Sequence, residues 1–307
     1  MDQTVGLIVI FSIGWFLIME AIWANTDFPY QCLKDEIRTN AFRKAILNVV
    51  KHGDIVLDAG SGSGILSFFA AEAGAKKVYA VEIEHILAQQ LRKSIELNNL
   101  SNVVEVIEGD IQKVDSPKGI DVLISEIIDT GLIDELQVPA INNLRRRGII
   151  TEKTRLLPSH YRTYLQLVDT DNMYYGYIIA APKHEWPFYN NKSTHWAQSK
   201  IVPVSNIVEF LSIDFSLENI SEKIGKMITF RLRNNKMANA LRLSGLITLC
   251  KGIELGPTNA LNGDKIFYID PVEGVNEVTF KISYRMGSGL GTLTIEKIAG
   301  NKSENHH

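Results

Sequence analysis

The sequence predicts an α/β fold that begins with a Rossmann-like domain built on a parallel sheet and continues into a mainly antiparallel β domain. Short apolar runs alternate with helical segments in the first part, and a glycine-rich loop follows the first run. Such alternation is typical of parallel, doubly wound sheets. After Pro158, β-rich runs separated by turn residues indicate the second part. Domain boundaries are therefore predicted at 25–157 and 158–300, with a disordered polar tail at 301–307.

The first part contains four predicted strands, at residues 54–58, 77–82, 103–108 and 120–125. Its predicted helices are at residues 34–50, 65–73 and 85–98. The β-rich runs of the second part are at residues 161–168, 207–215, 226–232, 240–249, 265–269 and 277–284. Right-handed crossovers in a parallel sheet place the ligand site at the carboxyl ends of its strands. Residues that bind a ligand are therefore expected just after each strand.

Composition limits the class of protein. The chain has 307 residues, of which 45% are hydrophobic and 22% charged, and its net charge is −3. This is globular composition without the strong basic charge that recruits nucleic acid, so no nucleic-acid partner is predicted. Cys32 and Cys250 form neither a zinc motif nor a disulfide framework. The sequence therefore predicts no metal site and a reducing compartment.

The N-terminal segment is apolar over residues 5–24, where Glu20 is the only charge. About 20 apolar residues can span a bilayer as a helix. Basic residues follow the segment, which favours a cytoplasmic location for the rest of the chain. The sequence thus predicts a membrane anchor within residues 1–24. The alternative is a protein that starts at Met19, has no anchor and is cytoplasmic.

The loop after the first strand reads Asp58-Ala59-Gly60-Ser61-Gly62-Ser63-Gly64. Glycines at this place let the backbone approach a ligand closely and leave amides free at the start of the next helix. The spacing G-x-G-x-G differs from the G-x-G-x-x-G of dinucleotide-binding loops, which hold a pyrophosphate. Asp58 is predicted to bind the ammonium group of a methionine moiety.

Acidic residues also follow the next two strands. Glu82 ends the second strand, twenty residues beyond Gly62, where a carboxylate can accept both hydroxyls of a ribose. Asp110 and Ile111 follow the third strand and form a predicted adenine site. With the loop, these positions indicate a nucleoside-bearing cofactor and favour S-adenosylmethionine over NAD. The alternative is a structural domain whose glycines only make turns, but three strand ends agree on the cofactor.

Two glutamates follow the fourth strand in the stretch SEIIDTGLIDE. Glu126 and Glu135 stand nine positions apart around a glycine, a spacing that suits a loop that folds back on itself. Both carboxylates would then face one pocket. Paired carboxylates match a guanidinium, which is planar, always charged and carries forked donors. The alternative is a solvated acidic loop without a ligand.

Three stretches resemble the protein arginine methyltransferase family, namely LKDEIRT from Leu33, VLDAGSGSGILSFFAAEAGAKKVYAVE from Val56, and SEIIDTGLIDE from Ser125. The sequences EIIDTGLIDE, from Glu126, and SIDFS, from Ser212, are most similar to those of the type III, monomethylating branch. The resemblance runs from about Leu33 to Ile298 and is strongest up to Asp169.

This resemblance implies S-adenosylmethionine as cofactor and the arginine side chain of a protein as substrate. It assigns the cofactor carboxylate to Arg38 and the ribose to Glu82. It assigns the cofactor loop to Gly60, Gly62 and Gly64, and the substrate clamp to Glu126 and Glu135. It also implies that the antiparallel domain is β-barrel-like and walls the arginine pocket. The stretch between Asp171 and Pro203 lies where the family inserts the arm that forms a homodimer.

The chain departs from the family in one loop. The family carries a Thr-His-Trp motif late in the barrel, and chain order matches it to Thr258-Asn259-Ala260. Asn259 would then replace the histidine and Ala260 the tryptophan, which predicts a wider and wetter pocket. Two alternatives to arginine methylation therefore remain. One is methyl transfer to another protein side chain or a small molecule, and the other is a cofactor-binding scaffold with impaired catalysis.

Overall fold

The computed structural model describes residues 27–187, 200–233 and 236–302. The anchor predicted within residues 1–24 lies outside these ranges, as do residues 303–307 of the predicted tail. Within the described ranges, no helix has the length and apolar character needed to cross a membrane.

The N-terminal part alternates helices and strands, as predicted. Its helices are α1 (Asp27–Lys34), α2 (Glu36–Val49), α3 (Ile65–Glu72), α4 (His85–Leu97) and α5 (Gln137–Arg146). Its strands are β1 (Ile55–Ala59), β2 (Lys77–Glu82), β3 (Val104–Glu108), β4 (Val122–Ser125) and β5 (Arg155–Leu157). The strands form a sheet in the order β3-β2-β1-β4-β5, and every pair is parallel. Strand β5, of three residues, was not predicted.

The helix predicted at residues 34–50 is α2, which begins just after Asp35, and the helix that precedes it, α1, was not predicted. The Asp35 side chain accepts a hydrogen bond from the Arg38 amide at 3.0 Å and so caps the N-terminus of α2. Aspartate is a preferred residue at this position, since its carboxylate satisfies an amide that has no partner within the helix. This cap at Asp35 places Arg38 in the first turn of α2.

The C-terminal part is antiparallel, which confirms the predicted fold class. Its strands are β6 (His160–Thr170), β7 (Met173–Tyr174), β8 (Tyr177–Ile178), β9 (Lys183–Glu185), β10 (Ile201–Pro203), β11 (Val208–Asp214), β12 (Lys223–Arg231), β13 (Ala238–Cys250), β14 (Ile253–Leu255), β15 (Asp264–Val272), β16 (Val275–Arg285) and β17 (Thr294–Lys302). One sheet has the order β10-β6-β13-β15-β9, with β11 beside β6 and β14 beside β13. Strands β12-β16-β17 form a second sheet, and β7 pairs with β8 in a separate hairpin.

A single hydrophobic core connects the two parts. It includes Val56 and Leu123 of the parallel sheet together with Leu243 and Phe280 of the antiparallel strands, all of them buried. Leu132, in a short 3-10 helix at Thr130–Leu132 after β4, belongs to the same core. The loop that carries the two glutamates is therefore packed between the parts.

Close packing in the antiparallel part depends on Gly245 of β13. A Cβ atom at this position would overlap the Tyr161 hydroxyl and would lie 2.6 Å from Oδ1 of Asn262. Both partners are buried and joined by a hydrogen bond of 2.9 Å between the Tyr161 hydroxyl and Asn262 Oδ1. The space that a side chain would need is therefore filled by a hydrogen-bonded pair.

We expect Gly245→Ala to lower the free energy of unfolding by about 1–3 kcal/mol, as overpacked core substitutions do. Urea denaturation measures the effect. Gly256→Ala is the matched control, because no heavy atom lies within 4 Å of its added Cβ. The control should change stability by less than about 0.5 kcal/mol. Equal midpoints for the two variants would contradict the packing argument.

Candidate active site

The predicted site residues gather at the carboxyl ends of the parallel strands. Asp58 lies in β1, Glu82 ends β2, and Glu126 directly follows β4. Because β1 lies between β2 and β4, these three strand ends are neighbours. The sheet thus brings together residues that are far apart in the sequence.

The glycine-rich loop is tied to the end of β2. The amides of Gly60 and Ser61 both donate to the Val81 carbonyl, at 3.0 and 2.9 Å. The Gly62 amide donates to Glu82 Oε2 at 2.7 Å, and the Glu84 amide donates to Glu82 Oε1 at 2.9 Å. Glu82 is 5% exposed, and burial raises its pKa. Its carboxylate therefore holds the loop and lies at the position predicted to bind a ribose.

Gly64 ends the loop with φ of 82°, which an L side chain rarely adopts. A Cβ there would also overlap Leu91 of α4. At Gly62, the closest approach to an added Cβ comes from Pro29 at 3.6 Å. Helix α1, which carries Pro29, therefore lies against the loop. This helix has eight residues, Asp27–Lys34.

Asp58 is buried beneath the loop at 1% exposure. Its Oδ2 accepts a hydrogen bond from the Ser67 hydroxyl of α3 at 2.6 Å. Burial raises the pKa of Asp58 to about 7, with the Ser67 hydrogen bond opposing the shift. A cation near this carboxylate would favour its charged form.

The predicted adenine residues lie beside the end of β2. The Gly109 amide donates to the Glu82 carbonyl at 2.8 Å, which joins the third strand end to the second. Asp110 accepts the Gln112 amide at 2.9 Å and lies 3.1 Å from Lys113 Nζ. Ile111 is 8% exposed. The turn after β3 is thus held against the residue predicted to bind the ribose.

Arg38 and Glu126 form a buried ion pair, in which Nη2 of Arg38 donates to Oε2 of Glu126. Sequence analysis assigned Arg38 to the cofactor and Glu126 to the substrate, and the structure places them in contact. Nε and Nη1 of Arg38 are buried and have no hydrogen-bond partner among the described residues. Burial raises the pKa of Glu126, and the positive charge of Arg38 opposes that shift.

The loop after β4 folds back around Asp129, a residue to which sequence analysis gave no role. Its carboxylate accepts hydrogen bonds from the amides of Ile133, Asp134 and Glu135, at 3.2, 3.1 and 3.0 Å. These bonds set the backbone position of Glu135. Four acidic residues within one short loop were the available signal, but the sequence does not show which of them faces inward.

Glu135 is partly buried, and no described residue donates a hydrogen bond to its carboxylate. Burial raises its pKa well above the usual value, and the negative charges of Asp129 and Glu126 act in the same direction. An unpaired carboxylate in a negative environment is stabilised by an incoming cation. A cation beside Glu135 would therefore favour the charged form of its carboxylate.

Gln137, at the start of α5, fixes the backbone around Glu126. It is fully buried, and its Oε1 accepts the Ser125 hydroxyl at 3.0 Å and the Ile127 amide at 3.2 Å. These contacts lie on either side of Glu126. Sequence analysis missed this residue because a glutamine at the start of a helix carries no motif of its own.

The loop that departs from the family motif also reaches the site. The Ala260 amide donates to Oδ2 of Asp35 at 2.8 Å, close to the start of the helix that carries Arg38. Ala260 is 2% exposed, whereas the Asn259 side chain is exposed. Ala260 is thus enclosed by protein, and the wider and wetter pocket stays a prediction.

These residues fit a cofactor with a carboxylate and a nucleoside. The two buried Arg38 nitrogens without partners need an acceptor, which a carboxylate supplies. The loop amides, Glu82 and the turn after β3 line one continuous edge of the sheet. In the described ranges, no group of three or more His, Cys, Asp or Glu side chains is placed to hold a metal ion.

Comparison with known proteins shows similarity to methyltransferases. Residues 36–160 match the family of the TRM5/TYW2 methyltransferase domain. An uncharacterized protein of Methanocaldococcus jannaschii, MJ1452, is 30% identical over 273 residues, covering 88% of this chain and 96% of its own. The histone-arginine methyltransferase CARMER of Drosophila erecta is 37% identical over 172 residues, or 54% of this chain. That alignment covers only 29% of the CARMER chain.

Two solved structures share the fold. The Trypanosoma brucei PRMT1 enzyme–prozyme heterotetrameric complex with AdoHcy aligns with a TM-score of 0.68 and 18% identity, covering 89% of this chain and 96% of that one. Arabidopsis thaliana protein arginine methyltransferase 10 aligns with a TM-score of 0.66 and 20% identity, covering 88% and 95%. The chain therefore has the fold of the protein arginine methyltransferases. It belongs to one family with MJ1452, and it is an S-adenosylmethionine-dependent methyltransferase.

Proposed function

We propose that the protein transfers a methyl group to a nitrogen of an arginine side chain in a protein substrate. The observation that supports this most is the loop after β4, where the Glu135 carboxylate accepts no hydrogen bond from the described residues and Glu126 pairs with Arg38, the residue predicted to bind the cofactor. A guanidinium offers forked donors and a permanent charge to such carboxylates. The names of CARMER and of both structural neighbours point the same way.

The cofactor would be held along the sheet edge. Arg38 would bind its carboxylate through the two free nitrogens, and Asp58 would face its ammonium group. Gly60, Ser61, Gly62 and Gly64 would let the backbone approach it closely. Glu82 would accept the ribose hydroxyls, and Asp110 and Ile111 would hold the adenine. When bound, S-adenosylmethionine supplies an electrophilic methyl group.

The glutamates would act on the substrate nitrogen by charge and position. A guanidinium is a poor nucleophile because its lone pairs are delocalised. Glu126 and Glu135 would draw the positive charge toward two of its nitrogens and orient the third toward the methyl group. Positioning and preorganised electrostatics would supply most of the rate. The substrate nitrogen gains a methyl group and loses one proton, which can leave late and without a strong base.

A second candidate is methyl transfer to another protein side chain or a small molecule. The observation that favours it is the loop at Asn259 and Ala260, where the family motif has a histidine and a tryptophan. Asn259 is exposed and cannot carry a proton near neutral pH, so it cannot replace a histidine in proton transfer. Activity on arginine peptides decides between the two candidates.

We also propose a homodimer formed through the β7–β8 hairpin. Its exposed large apolar side chains are Met173, Tyr174, Tyr175, Tyr177 and Ile178. Tyr175 is fully exposed, with a relative accessibility of 100%. Contiguous apolar residues at the surface of a soluble domain usually mark a protein interface. Exposed Phe28, Tyr30 and Ile37 on α1 and α2 offer a second apolar surface for the hairpin of another copy.

Glu82→Ala should weaken cofactor binding by about 1.5–3 kcal/mol, the usual contribution of hydrogen bonds to a charged group. Calorimetric titration with S-adenosylhomocysteine measures the loss. Glu105→Ala, on the exposed face of β3, is the control and should bind normally. An unchanged affinity for the Glu82 variant would refute its ribose role.

Glu135→Gln should lower kcat on an arginine-rich peptide by about a hundredfold or more, because it removes a charge aimed at the reacting group. Cofactor affinity should remain nearly unchanged. Glu126→Gln should also abolish transfer, and Glu152→Gln, which is exposed and outside the loop, should not. Wild-type turnover in both loop variants would show that the loop does not hold the substrate.

Tyr175→Ser with Tyr177→Ser should convert a dimer into a monomer, because aromatic side chains dominate the energy of protein interfaces. Sedimentation velocity measures the mass. Ile207→Ser with Met227→Ser, which changes exposed apolar residues elsewhere, is the control and should leave the dimer intact. A wild-type protein that sediments as a monomer at all concentrations would rule the homodimer out.

A further inference from the structure

Lys265 of β15 reaches from the antiparallel part into the loop that carries the glutamates. It is 5% exposed, although lysine is almost never buried without a partner. Its Nζ pairs with the carboxylates of Asp129 and of Asp134, the latter at 2.6 Å. The lysine thus binds two carboxylates that belong to one turn of the loop.

The first of these carboxylates also shapes the loop. Asp129 accepts the amides of Ile133, Asp134 and Glu135 while it pairs with Lys265. A carboxylate can accept about four hydrogen bonds. With three amides and Lys265 as donors, the hydrogen-bonding capacity of Asp129 is met. Removing the lysine would leave a buried charge, which is strongly unfavourable.

The antiparallel part contacts the loop at further points. The Tyr161 hydroxyl accepts the Gly131 amide at 3.0 Å, and the Tyr284 hydroxyl donates to the Gly131 carbonyl at 2.8 Å. The Thr130 hydroxyl donates to the Gly263 carbonyl at 2.5 Å. These contacts between neutral groups hold the middle of the loop. Lys265 instead brings a positive charge to the carboxylates of Asp129 and Asp134, which flank the loop on either side of these contacts.

The charged and titratable groups around Glu135 come from three elements. Its own loop carries Glu126, Asp129 and Asp134, α1 carries Cys32, and β15 carries Lys265. The three acidic groups and burial favour the protonated form of Glu135, and Lys265 opposes them. Arg38, the other nearby cation, is paired with Glu126.

We propose that Lys265 is a positioning residue for the clamp: it holds the loop through Asp129 and Asp134, and its positive charge favours the ionised form of the Glu135 carboxylate. The role rests on the proposed function, because it assigns a purpose to Glu135. Lys265 itself touches neither Glu126 nor the cofactor residues in any described contact. It acts on the reaction through the carboxylates of the loop.

The test is the titration of Glu135, followed by NMR of protein with 13C-labelled glutamate carboxyls and assigned with Glu135→Gln. Lys265→Met should raise the titration midpoint by about one pH unit, the low end of the effect of a nearby charge. Lys265→Arg should restore it. Lys183→Met, at a neighbouring position on β9, is the control and should not move it.

Asp134→Asn should lower the midpoint, because it removes a negative charge while the Lys265–Asp129 pair remains. A merely structural role for Lys265 predicts the opposite result for Lys265→Met, since a loosened and hydrated loop would lower the midpoint in both variants. A midpoint that falls or stays unchanged in Lys265→Met overturns the proposal. If Lys265→Met does not fold, the same comparison in the Asp134→Asn background keeps the buried charges balanced and decides the question.

Methyl transfer to an arginine-rich peptide separates this proposal from the proposed function. The acidic limb of the pH–rate profile should move upward in Lys265→Met by the same amount as the titration midpoint. A wild-type protein without activity on any arginine peptide would refute the proposed substrate. The titration of Glu135 would still show whether Lys265 controls its charge, because it needs no substrate.

Discussion

The arrangement of the candidate active site depends on the carboxylate of Asp129. It accepts three amides of its own loop and pairs with Lys265 from the antiparallel part. The first set of contacts gives the loop its shape, and the pairing fixes that shape relative to the second part. Buried charges of this kind are stable only when their hydrogen-bonding capacity is met, which makes the arrangement specific. The backbone amide of Glu135 is held by Asp129, whereas its carboxylate accepts no hydrogen bond from the described residues.

The parallel sheet and the cofactor edge could be predicted from the sequence because their signals are local. The second predicted strand, 77–82, coincides with β2, and Glu82 lies at the predicted strand end. Strand β5 has three residues, too few to show a period, and it was missed. Helix α1 was also missed, and the helix predicted from Lys34 begins only after the cap residue Asp35, a boundary that only the cap geometry shows.

The ion pairs that join separate elements at the site could not be predicted from the sequence. Lys265 and Asp129 are 136 positions apart, and nothing in either local sequence indicates the other. Arg38 and Glu126 were each found, but as members of different subsites, and the structure joins them in one ion pair. A residue predicted to bind the cofactor and one predicted to bind the substrate therefore share a contact. Sequence spacing identifies candidate residues, whereas tertiary packing determines which of them become partners.

Gly245 is connected to the glutamate loop through one intermediate residue, Tyr161. It lies on β13 and contacts no predicted ligand residue, yet the Tyr161 hydroxyl that occupies its free space accepts the Gly131 amide of the glutamate loop. Any side chain at position 245 would push on that hydroxyl. Over evolutionary time, mutations at this strand position would be removed by selection on catalysis as well as on folding. A residue with no side chain would thus be retained for an activity in which it takes no direct part.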